Sequence, residues 1–357
     1  MKTKLNGKER IKLAFEHKTT DRIPIGMLCG GINKPALRQF DALLQKEKNT
    51  RAHDYIQSFL DIVELWSFDV GPDEKNGIDY FGVQRKSISY GEGAYDEIVL
   101  SPLKQCQSVN EVDNHNWPKT DIFDYSLVKG LIQEKQNNPG QALVLGVANP
   151  FETAWAMRGL EQMFLDMMMN PDIVHRIMSR VTDFFLEHFV NFIKAAQGKI
   201  QYVFTADDLG GQTGLLLSKE HWAEFIKPYH VKMNNAFHEL GLKIFYHSCG
   251  AVQDIVSGLQ NSGIDALQSL QFNAEGMEPE LLKEKHGDTL CFEGGVCVQK
   301  LLPYGTPEII KEQIQKLIDI MGKNGGYILG PSHYIQAGTP PENILAMFET
   351  AKNYYPY

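Results

Sequence analysis

The sequence predicts an α/β protein built as a single (β/α)8 TIM barrel over residues 1–357. Short, almost entirely apolar segments recur along the chain, and most are followed by a longer amphipathic segment. Eight such apolar segments are centred near residues 23, 64, 144, 203, 245, 267, 291 and 328. Apolar strands that alternate with helices are typical of parallel strands covered on both faces, and eight units favour a closed barrel. A doubly wound open sheet is the alternative, although no G-x-G-x-x-G stretch follows an early strand.

The first third of the chain contains two of these units and one departure from them. Helices and strands are predicted in turn at 7–16, 22–27, 34–60 and 62–68. Residues 78–100 differ, because two β-rich runs flank Gly91-Glu92-Gly93. This combination predicts a β-hairpin excursion from the barrel.

The remaining two thirds of the chain alternate regularly between strands and helices. Strands are predicted at 142–147, 202–205, 244–246, 266–270, 290–293 and 326–329. Asn170-Pro171 predicts the N-cap and first residue of a long helix that reaches about Ala196. Thr339-Pro340-Pro341-Glu342 predicts a capping box for the final helix.

Composition and charge exclude several classes of function. The chain is 43% hydrophobic and 22% charged, which is ordinary for a globular protein. A net charge of −9 argues against nucleic acid as a partner, because phosphate binding needs a positive surface. The charged N-terminus has no apolar export segment, and no run of 18 apolar residues predicts a membrane span. With five cysteines, an odd number, and no CxxC pair, we expect a cytoplasmic protein without disulfides.

The stretch from Leu242 to Gly250 carries the clearest chemical signal. His247 and Cys249 follow a predicted strand and are two positions apart, so their side chains can point to the same side of an extended chain. Imidazole and thiolate together suit zinc. The alternative is a buried histidine beside a structural cysteine, since a His-x-Cys motif is short.

Chemically active residues also follow the other predicted strands. In a barrel, the carboxyl ends of the strands form the active site. The residues predicted at these ends are Glu152, Asp207, Asp208, His247, Cys249, Gln271, Glu293 and His333. Glu152, Asp208 and Glu293 are candidates for a fourth metal ligand or for general acid/base catalysis.

His333 is the candidate for a third metal ligand beside His247 and Cys249. Three protein ligands would leave one position open, as in catalytic zinc sites. Such a zinc ion can bind a thiol and lower its pKa. The alternative is that His333 orients a substrate group through a hydrogen bond. Substrate contacts are predicted for Phe151, Trp155, Asp207, Gln212, Tyr246 and Tyr334.

The chain resembles the uroporphyrinogen decarboxylase superfamily over residues 8–351. The resemblance rests on the stretches Asp21–Pro24, Asp207–Gln212, Tyr246–Gly250, Gly325–Leu329 and Thr339–Ile344. It implies a (β/α)8 barrel with its active site at the carboxyl ends of the strands. The true decarboxylases of this superfamily carry an arginine-rich stretch after the first strand, where this chain has Met27–Asn33 without an arginine. A substrate with eight carboxylates needs several cations, so this departure argues against that activity.

The other branch of the superfamily, to which the chain is more similar, consists of zinc-dependent methyltransferases that act with corrinoids. The resemblance implies zinc, a methylcobamide carried by a corrinoid-binding partner protein, and a small-molecule methyl donor or acceptor. His247 and Cys249 match the first two zinc ligands of that branch, and His333 stands where the branch has a later cysteine. The alternatives are a cofactor-independent decarboxylase and a non-catalytic barrel subunit. The identity of the donor and the direction of transfer stay open, as does the oligomeric state, for which a homodimer is one option.

Overall fold

A parallel β-sheet forms the centre of the fold in the computed structural model, which describes residues 4–89, 94–136, 138–354 and 356–357. Two strands outside this sheet pair with each other. The strands are β1 (Ile62–Trp66), β2 (Gln84–Ser89), β3 (Ala94–Leu100), β4 (Ala142–Ala148), β5 (Tyr202–Ala206), β6 (Lys243–His247), β7 (Ala266–Ser269), β8 (Cys291–Val296) and β9 (Tyr327–Pro331). Within the described ranges the sheet has seven parallel strands in the order β1-β4-β5-β6-β7-β8-β9.

Helices separate and cover these strands. They are α1 (Gly7–Phe15), α2 (Lys34–Lys48), α3 (Ala52–Gln57), α4 (Val109–Asp113), α5 (Val128–Lys135), α6 (Pro150–Arg158), α7 (Leu160–Met169), α8 (Pro171–Ala195), α9 (Lys219–Phe225), α10 (Lys227–Glu239), α11 (Val256–Asn261), α12 (Pro279–His286), α13 (Leu301–Tyr304), α14 (Pro307–Met321) and α15 (Pro341–Asn353). Ser218 and Thr306 accept hydrogen bonds from the first turns of α9 and α14, which satisfies amides that lack a partner within the helix. Among the residues described, no helix is both long and apolar enough to cross a membrane.

Apolar side chains fill the space on both faces of the sheet. The larger core lies between the sheet and the helices and includes Leu65, Leu145 and Val203. The smaller core lies on the other face and consists mainly of alternate strand residues: Ile62, Val144, Phe204, Phe245, Ala266, Cys291 and Ile328. Because side chains alternate between faces, the sheet curls around this second core as in a TIM barrel.

The segment predicted as the first strand is not a regular strand. Ile25 forms only an isolated parallel bridge with Leu329 of β9. The amide of Gly26 donates to the Leu329 carbonyl at 2.9 Å, and Leu329 donates to Pro24 at 2.8 Å. Pro24 has no amide hydrogen of its own, which limits regular pairing. The prediction of eight strands is therefore corrected to seven regular strands in a TIM-like arrangement.

The predicted excursion at residues 78–100 corresponds to a separate pair of strands. β2 and β3 pair antiparallel, with Ser87 opposite Asp96 and Ile88 opposite Tyr95. The predicted turn at Gly91–Gly93 lies outside the described residues. The final helix begins at Pro341 with Pro340 as its N-cap, so the prediction that Thr339 caps this helix is wrong.

Asp61 joins the irregular first segment to the start of β1. Its carboxylate, 2% exposed, accepts hydrogen bonds from Arg10 Nη1 at 2.9 Å, from Arg22 Nη1 at 2.7 Å and from the amide of Ile25 at 2.9 Å. The amide of Asp61 in turn donates to the carbonyl of Ile25 at 2.9 Å. A buried carboxylate with two guanidinium partners thus ties the irregular first segment to β1, and this segment in turn pairs with β9.

Substitution of Asp61 tests this role. We expect Asp61→Asn to lower the free energy of unfolding by about 3 kcal/mol, because two guanidinium groups then lose their buried counter-charge. Asp183→Asn is the matched control, since Asp183 pairs with Lys232 on the surface and is 53% exposed. It should cost less than about 1 kcal/mol. Equal losses in urea unfolding would contradict the assignment.

Candidate active site

Three polar side chains form a row across adjacent strands on the inner face of the sheet. His247 of β6 is in register with Gln268 of β7, and Gln268 is in register with Glu293 of β8. All three side chains are almost completely buried. One layer below, the same face carries the apolar residues Phe245, Ala266 and Cys291. The row therefore lies at the carboxyl edge of the sheet, above an apolar core.

Gln268 fixes the orientation of the His247 ring. Its Nε2 donates to the carbonyl of Leu28 at 2.6 Å, so its Oε1 faces the imidazole and accepts a hydrogen bond from His247 Nδ1. With the proton on Nδ1, the lone pair of the neutral ring is on Nε2. This is the arrangement by which a second residue orients a metal-binding histidine.

His247 Nε2 points toward a thiol and a carboxylate. Cys249 Sγ is 3.4 Å away and Asp208 Oδ1 is 3.2 Å away. Asp208 Oδ1 also accepts a hydrogen bond from the Cys249 amide at 2.8 Å. Within the described parts of the chain, these three residues form the one group of metal-capable side chains whose ligand atoms all lie within 4.8 Å of one another. Nitrogen, sulfur and oxygen donors at this spacing fit zinc.

The turn after β6 makes this arrangement possible. Gly250 has a positive φ of 82°, and a Cβ atom there would lie 2.2 Å from the carbonyl oxygen of Gly210. Only glycine avoids both the strained backbone and this overlap. The close contact between the two loops places Asp208, at the end of β5, beside Cys249.

Asp208 and His247 have opposite pKa shifts. Burial raises the pKa of Asp208, but hydrogen bonds from His247 and from the Cys249 amide outweigh it and lower the pKa to about 2. For His247, burial works against the charged form, and the nearby Cys29, Asp208 and Cys249 nevertheless raise the pKa above its usual range. The two shifts therefore favour the charged form of each partner, an anionic Asp208 carboxylate next to a protonated His247 ring.

His333 lies near this cluster but outside it. Its ring centroid is 6.4 Å from that of His247. Burial lowers the pKa of His333 and the neighbouring His247 lowers it further, which together outweigh the opposite effect of Asp208 and favour the neutral imidazole. The third metal-capable group beside His247 and Cys249 is Asp208. Metal binding by His333 stays a prediction.

Glu152 is held next to Asp208 by the first turn of α6. Asn149 Nδ2 donates to Glu152 Oε2 at 3.1 Å. Burial raises the pKa of Glu152 to about 7, and the charges of Asp208 and Asp207 contribute to this increase. Glu152 can therefore hold or release a proton near neutral pH, as the prediction of acid/base catalysis requires.

Asp207 has a different environment from Asp208. Its carboxylate accepts hydrogen bonds from the amides of Phe151 at 3.1 Å and Glu152 at 2.8 Å, and it contacts His230 Nε2 at 2.6 Å. Asp207 thus binds the N-terminus of α6, a helix end that lacks a side-chain cap of its own.

The residues predicted to bind substrate fall into two groups. Phe151, Asp207 and Tyr246 are no more than 1% exposed. Trp155, Gln212 and Tyr334 keep part of their surface accessible. Substrate binding by these six residues stays a prediction. Of the two groups, only Trp155, Gln212 and Tyr334 have the accessible surface that a ligand contact needs.

Sequence reasoning missed Glu64, Gln268 and Cys29. Glu64 Oε2 accepts a hydrogen bond from the Cys29 amide at 3.2 Å, and burial raises the pKa of Glu64 to about 7. Burial also raises the pKa of Glu293 to about 8. One oxygen of each carboxyl, Glu64 Oε1 and Glu293 Oε2, has no hydrogen-bond partner in the described part of the protein. A single acid within the apolar run Ile62–Trp66 was the available signal for Glu64.

Fold and site together define a parallel α/β protein with a candidate metal site at the carboxyl edge of its sheet. The sequence model of the family described as Uroporphyrinogen decarboxylase (URO-D) matches residues 89–354. The chain belongs to this family.

Individual relatives are more distant. The chain is 26% identical over 203 residues to a methylated-thiol–coenzyme M methyltransferase of Methanosarcina mazei, a match that covers 57% of this chain and 51% of that protein. It is 24% identical over 263 residues to uroporphyrinogen decarboxylase 2, chloroplastic, of Oryza sativa subsp. japonica, covering 71% of this chain and 63% of the relative. The chain thus spans about half to two thirds of the length of these relatives.

A solved structure shares the fold over nearly the whole chain. It is a methyltransferase from Methanosarcina mazei, with a TM-score of 0.71, 16% sequence identity and 98% coverage of both chains. At this identity the likeness shows the fold alone, and it agrees with the TIM-like arrangement of the sheet.

The buried Glu293 should make stability depend on pH. Its raised pKa means that the folded protein keeps a proton that the unfolded chain loses at about pH 4.5. Stability of the metal-free protein should therefore fall as pH rises from about 5 to about 8, by up to ~1.4 kcal/mol per pH unit from this group. We expect Glu293→Gln to remove this contribution, so that its stability relative to the wild type increases with pH.

Thermal unfolding between pH 5 and pH 8 measures this difference. Glu284→Gln, at an exposed position of α12, is the control and should follow the wild-type profile. A parallel profile for Glu293→Gln and the wild type would show that Glu293 is ionised in the folded protein.

Proposed function

We propose that the protein is a zinc-dependent methyltransferase that moves a methyl group between a corrinoid, carried by a partner protein, and a small molecule. The convergence of His247 Nε2, Cys249 Sγ and Asp208 Oδ1 within 4.8 Å carries this proposal. Membership in the URO-D family and similarity to a methylated-thiol–coenzyme M methyltransferase support it.

His247 and Cys249 would hold the zinc ion. When bound, zinc supplies a Lewis acid that stabilises the anionic form of a thiol or oxygen group. Two side chains are candidates for the third ligand, Asp208 and His333. The short distance between Asp208 Oδ1 and His247 Nε2 supports Asp208, and His333 then faces the same site as a neutral hydrogen-bonding group.

Glu152 would handle the proton of the small molecule. A heteroatom that loses a methyl group needs a proton, and one that accepts a methyl group must lose one. A carboxyl group with a pKa of about 7 can serve in either direction. Glu293 would keep its proton at the end of the row that it forms with Gln268 and His247, and would add no negative charge there.

Substrate contacts would come from the accessible side of the site. Trp155, Gln212 and Tyr334 have the exposed surface for this role. Phe151, Asp207 and Tyr246 would act indirectly, because they are buried among protein groups. A corrinoid-binding partner would approach the carboxyl edge of the sheet, where the ends of β5 and β6 place the metal-capable side chains.

Zinc content and methyl transfer test the proposal together. The purified wild type should bind one zinc ion, and His247→Ala and Cys249→Ser should lose it, as measured by elemental analysis. The zinc-loaded wild type should accelerate the demethylation of methylcobalamin by 2-mercaptoethanol at least tenfold over His247→Ala. Asp208→Asn should weaken zinc binding more than His333→Gln does; the reverse order would assign His333 as the third ligand.

A protein without zinc that decarboxylates uroporphyrinogen would contradict the methyltransferase proposal. We expect no turnover of uroporphyrinogen, because Met27–Asn33 offers no arginine for its carboxylates.

Gln268 should control zinc affinity without contacting the metal. We expect Gln268→Leu to weaken zinc binding about 10–100-fold, because His247 then loses the acceptor that holds its ring. Gln260→Leu is the matched control: Gln260 Oε1 also bonds a histidine, His286 Nδ1, at 2.8 Å, but this pair joins α11 to α12 and contains no member of the metal-capable cluster. Competition with a chromogenic chelator gives both affinities, and equal affinities for the two variants would refute the role of Gln268.

A further inference from the structure

Two loops pair with each other beyond the carboxyl edge of the sheet. The first loop, residues 27–33, follows the irregular first segment, and the second loop, residues 332–336, follows β9. The amide of Ile335 donates to the carbonyl of Gly31 at 2.8 Å, and the carbonyl of Ile335 accepts from the amide of Asn33 at 2.9 Å. These two hydrogen bonds hold the loops in a fixed position relative to each other.

The first loop is also bonded to the candidate site. The amide of Cys29 donates to Glu64 Oε2 at 3.2 Å, and the carbonyl of Leu28 accepts from Gln268 Nε2 at 2.6 Å. Gln268 in turn orients His247. The first loop is therefore attached on one side to the residues around the metal-capable cluster and on the other side to the second loop.

The ring of Tyr334, in the second loop, packs against the backbone of Gly31 in the first. A Cβ atom at position 31 would lie 2.5 Å from Cε1 of this ring, 3.0 Å from Cζ and 3.1 Å from Cδ1. Carbon atoms in favourable contact are about 3.5–4.0 Å apart, so a side chain at this position displaces the ring. The backbone of Gly31 is not in the left-handed region, so the space taken by the ring is what requires glycine here.

The same ring lies close to the candidate site and reaches the surface. Its centroid is 6.0 Å from that of His333, which is 6.4 Å from that of His247. Burial raises the pKa of Tyr334, and the nearby Cys29 and Glu64 raise it further. Tyr334 is nevertheless 42% exposed. The ring thus extends from the surroundings of the cluster to the protein surface, as a side chain at the opening of a site does.

We propose that Gly31 is a positioning residue that fixes the ring of Tyr334 as one wall of the opening, and that this wall limits the width of the small molecule that reaches the cluster. Because Gly31 is bonded to Ile335 of the second loop, the ring and the backbone behind it form one unit. The proposal rests on the function proposed above, since it concerns the small-molecule partner of methyl transfer. It predicts that the site selects unbranched molecules over branched ones of the same chemistry.

Two thiols of different width test this selectivity. 2-Mercaptoethanol and 1-mercapto-2-methylpropan-2-ol carry the same functional groups, and the second has two additional methyl groups on the carbinol carbon. With methylcobalamin as the methyl donor, the zinc-loaded wild type should have a kcat/KM about tenfold higher for 2-mercaptoethanol, as expected for methyl groups that find no space. Equal values for the two thiols would overturn the proposal.

Variants of Tyr334 test whether the ring is the wall. Tyr334→Phe keeps the ring and should keep the preference for 2-mercaptoethanol within about twofold of the wild-type ratio. Tyr334→Ala removes the ring and should raise kcat/KM for the branched thiol, so that the preference falls below about threefold. The same preference in both variants would overturn the proposal.

Substitution of Gly31 tests the positioning role. Gly31→Ala should raise KM for 2-mercaptoethanol roughly fivefold and leave kcat within about twofold, because the added Cβ pushes the ring into the opening without touching the zinc ligands. Gly30→Ala is the matched control: the nearest atom to a Cβ there is the carbonyl oxygen of Met27, at 3.3 Å. Its KM should stay within about twofold of the wild type. A wild-type KM for Gly31→Ala would overturn the proposal.

The double variant shows whether Gly31 acts through Tyr334. When Tyr334→Ala has removed the ring, the further change Gly31→Ala should alter KM by less than about twofold, since the added Cβ then has space. An equal effect of Gly31→Ala in both backgrounds would overturn the proposal. If Gly31→Ala alone does not fold, the double variant should recover the wild-type circular dichroism spectrum, and failure to recover it would also overturn the proposal.

Zinc content and activity of the wild type separate the two proposals. A wild type without zinc or without methyl transfer would contradict the methyltransferase function and, with it, the role of the wall. A wild type that transfers methyl groups to both thiols equally well would contradict the wall alone.

Discussion

The hydrogen bond between His247 and Gln268 determines how the rest of the site is arranged. It turns Nε2 of the imidazole toward Asp208 and Cys249. The bond depends in turn on the parallel register of β6 and β7, which places the two side chains opposite each other on the inner face. It also depends on Leu28, because the carbonyl of Leu28 decides which end of the Gln268 amide faces the histidine. The loop after the irregular first segment is thereby part of the site.

Burial gives the carboxyl groups around this histidine their different properties. Asp208 is anionic because His247 and the Cys249 amide compensate for its loss of solvent. Glu64, Glu152 and Glu293 receive less compensation, so burial raises the pKa of each of them. The same physical cost, the desolvation of a charge, therefore produces one permanent anion and three groups that hold protons near neutral pH. Perturbed carboxyl groups gathered at one edge of a sheet are typical of functional sites.

The sequence contained enough information for the seven regular strands and for the main members of the cluster. Apolar periodicity located each strand, and the His-x-Cys spacing indicated two of the three metal-capable side chains. Asp208 was a candidate for a fourth ligand or for acid/base catalysis, and His333 was the predicted third ligand. The first strand was overpredicted for two reasons. Pro24 lacks the amide hydrogen that regular pairing needs, and the amide of Ile25 bonds to the side chain of Asp61, a contact that only the folded structure shows. Gln268 and Glu64 were missed for a related reason: each is a single polar residue in an apolar strand, and only the register with neighbouring strands shows what it faces. His333 was predicted as a metal ligand from its position after the last strand. That position indicates that His333 lies near His247, but it does not give the distance between their ligand atoms.

Asp207 and Asp208 illustrate why proximity in sequence does not imply a shared role. They are adjacent at the end of β5, and the alternation of side chains sends them to opposite sides of the chain. Asp208 faces His247 and Cys249, whereas Asp207 faces His230 and the amides that begin α6. Because α6 carries Glu152, the hydrogen bonds from this helix to Asp207 position Glu152 next to Asp208. The two side chains thus join the metal-capable cluster to its proton-carrying neighbour, and a change in either is expected to affect both.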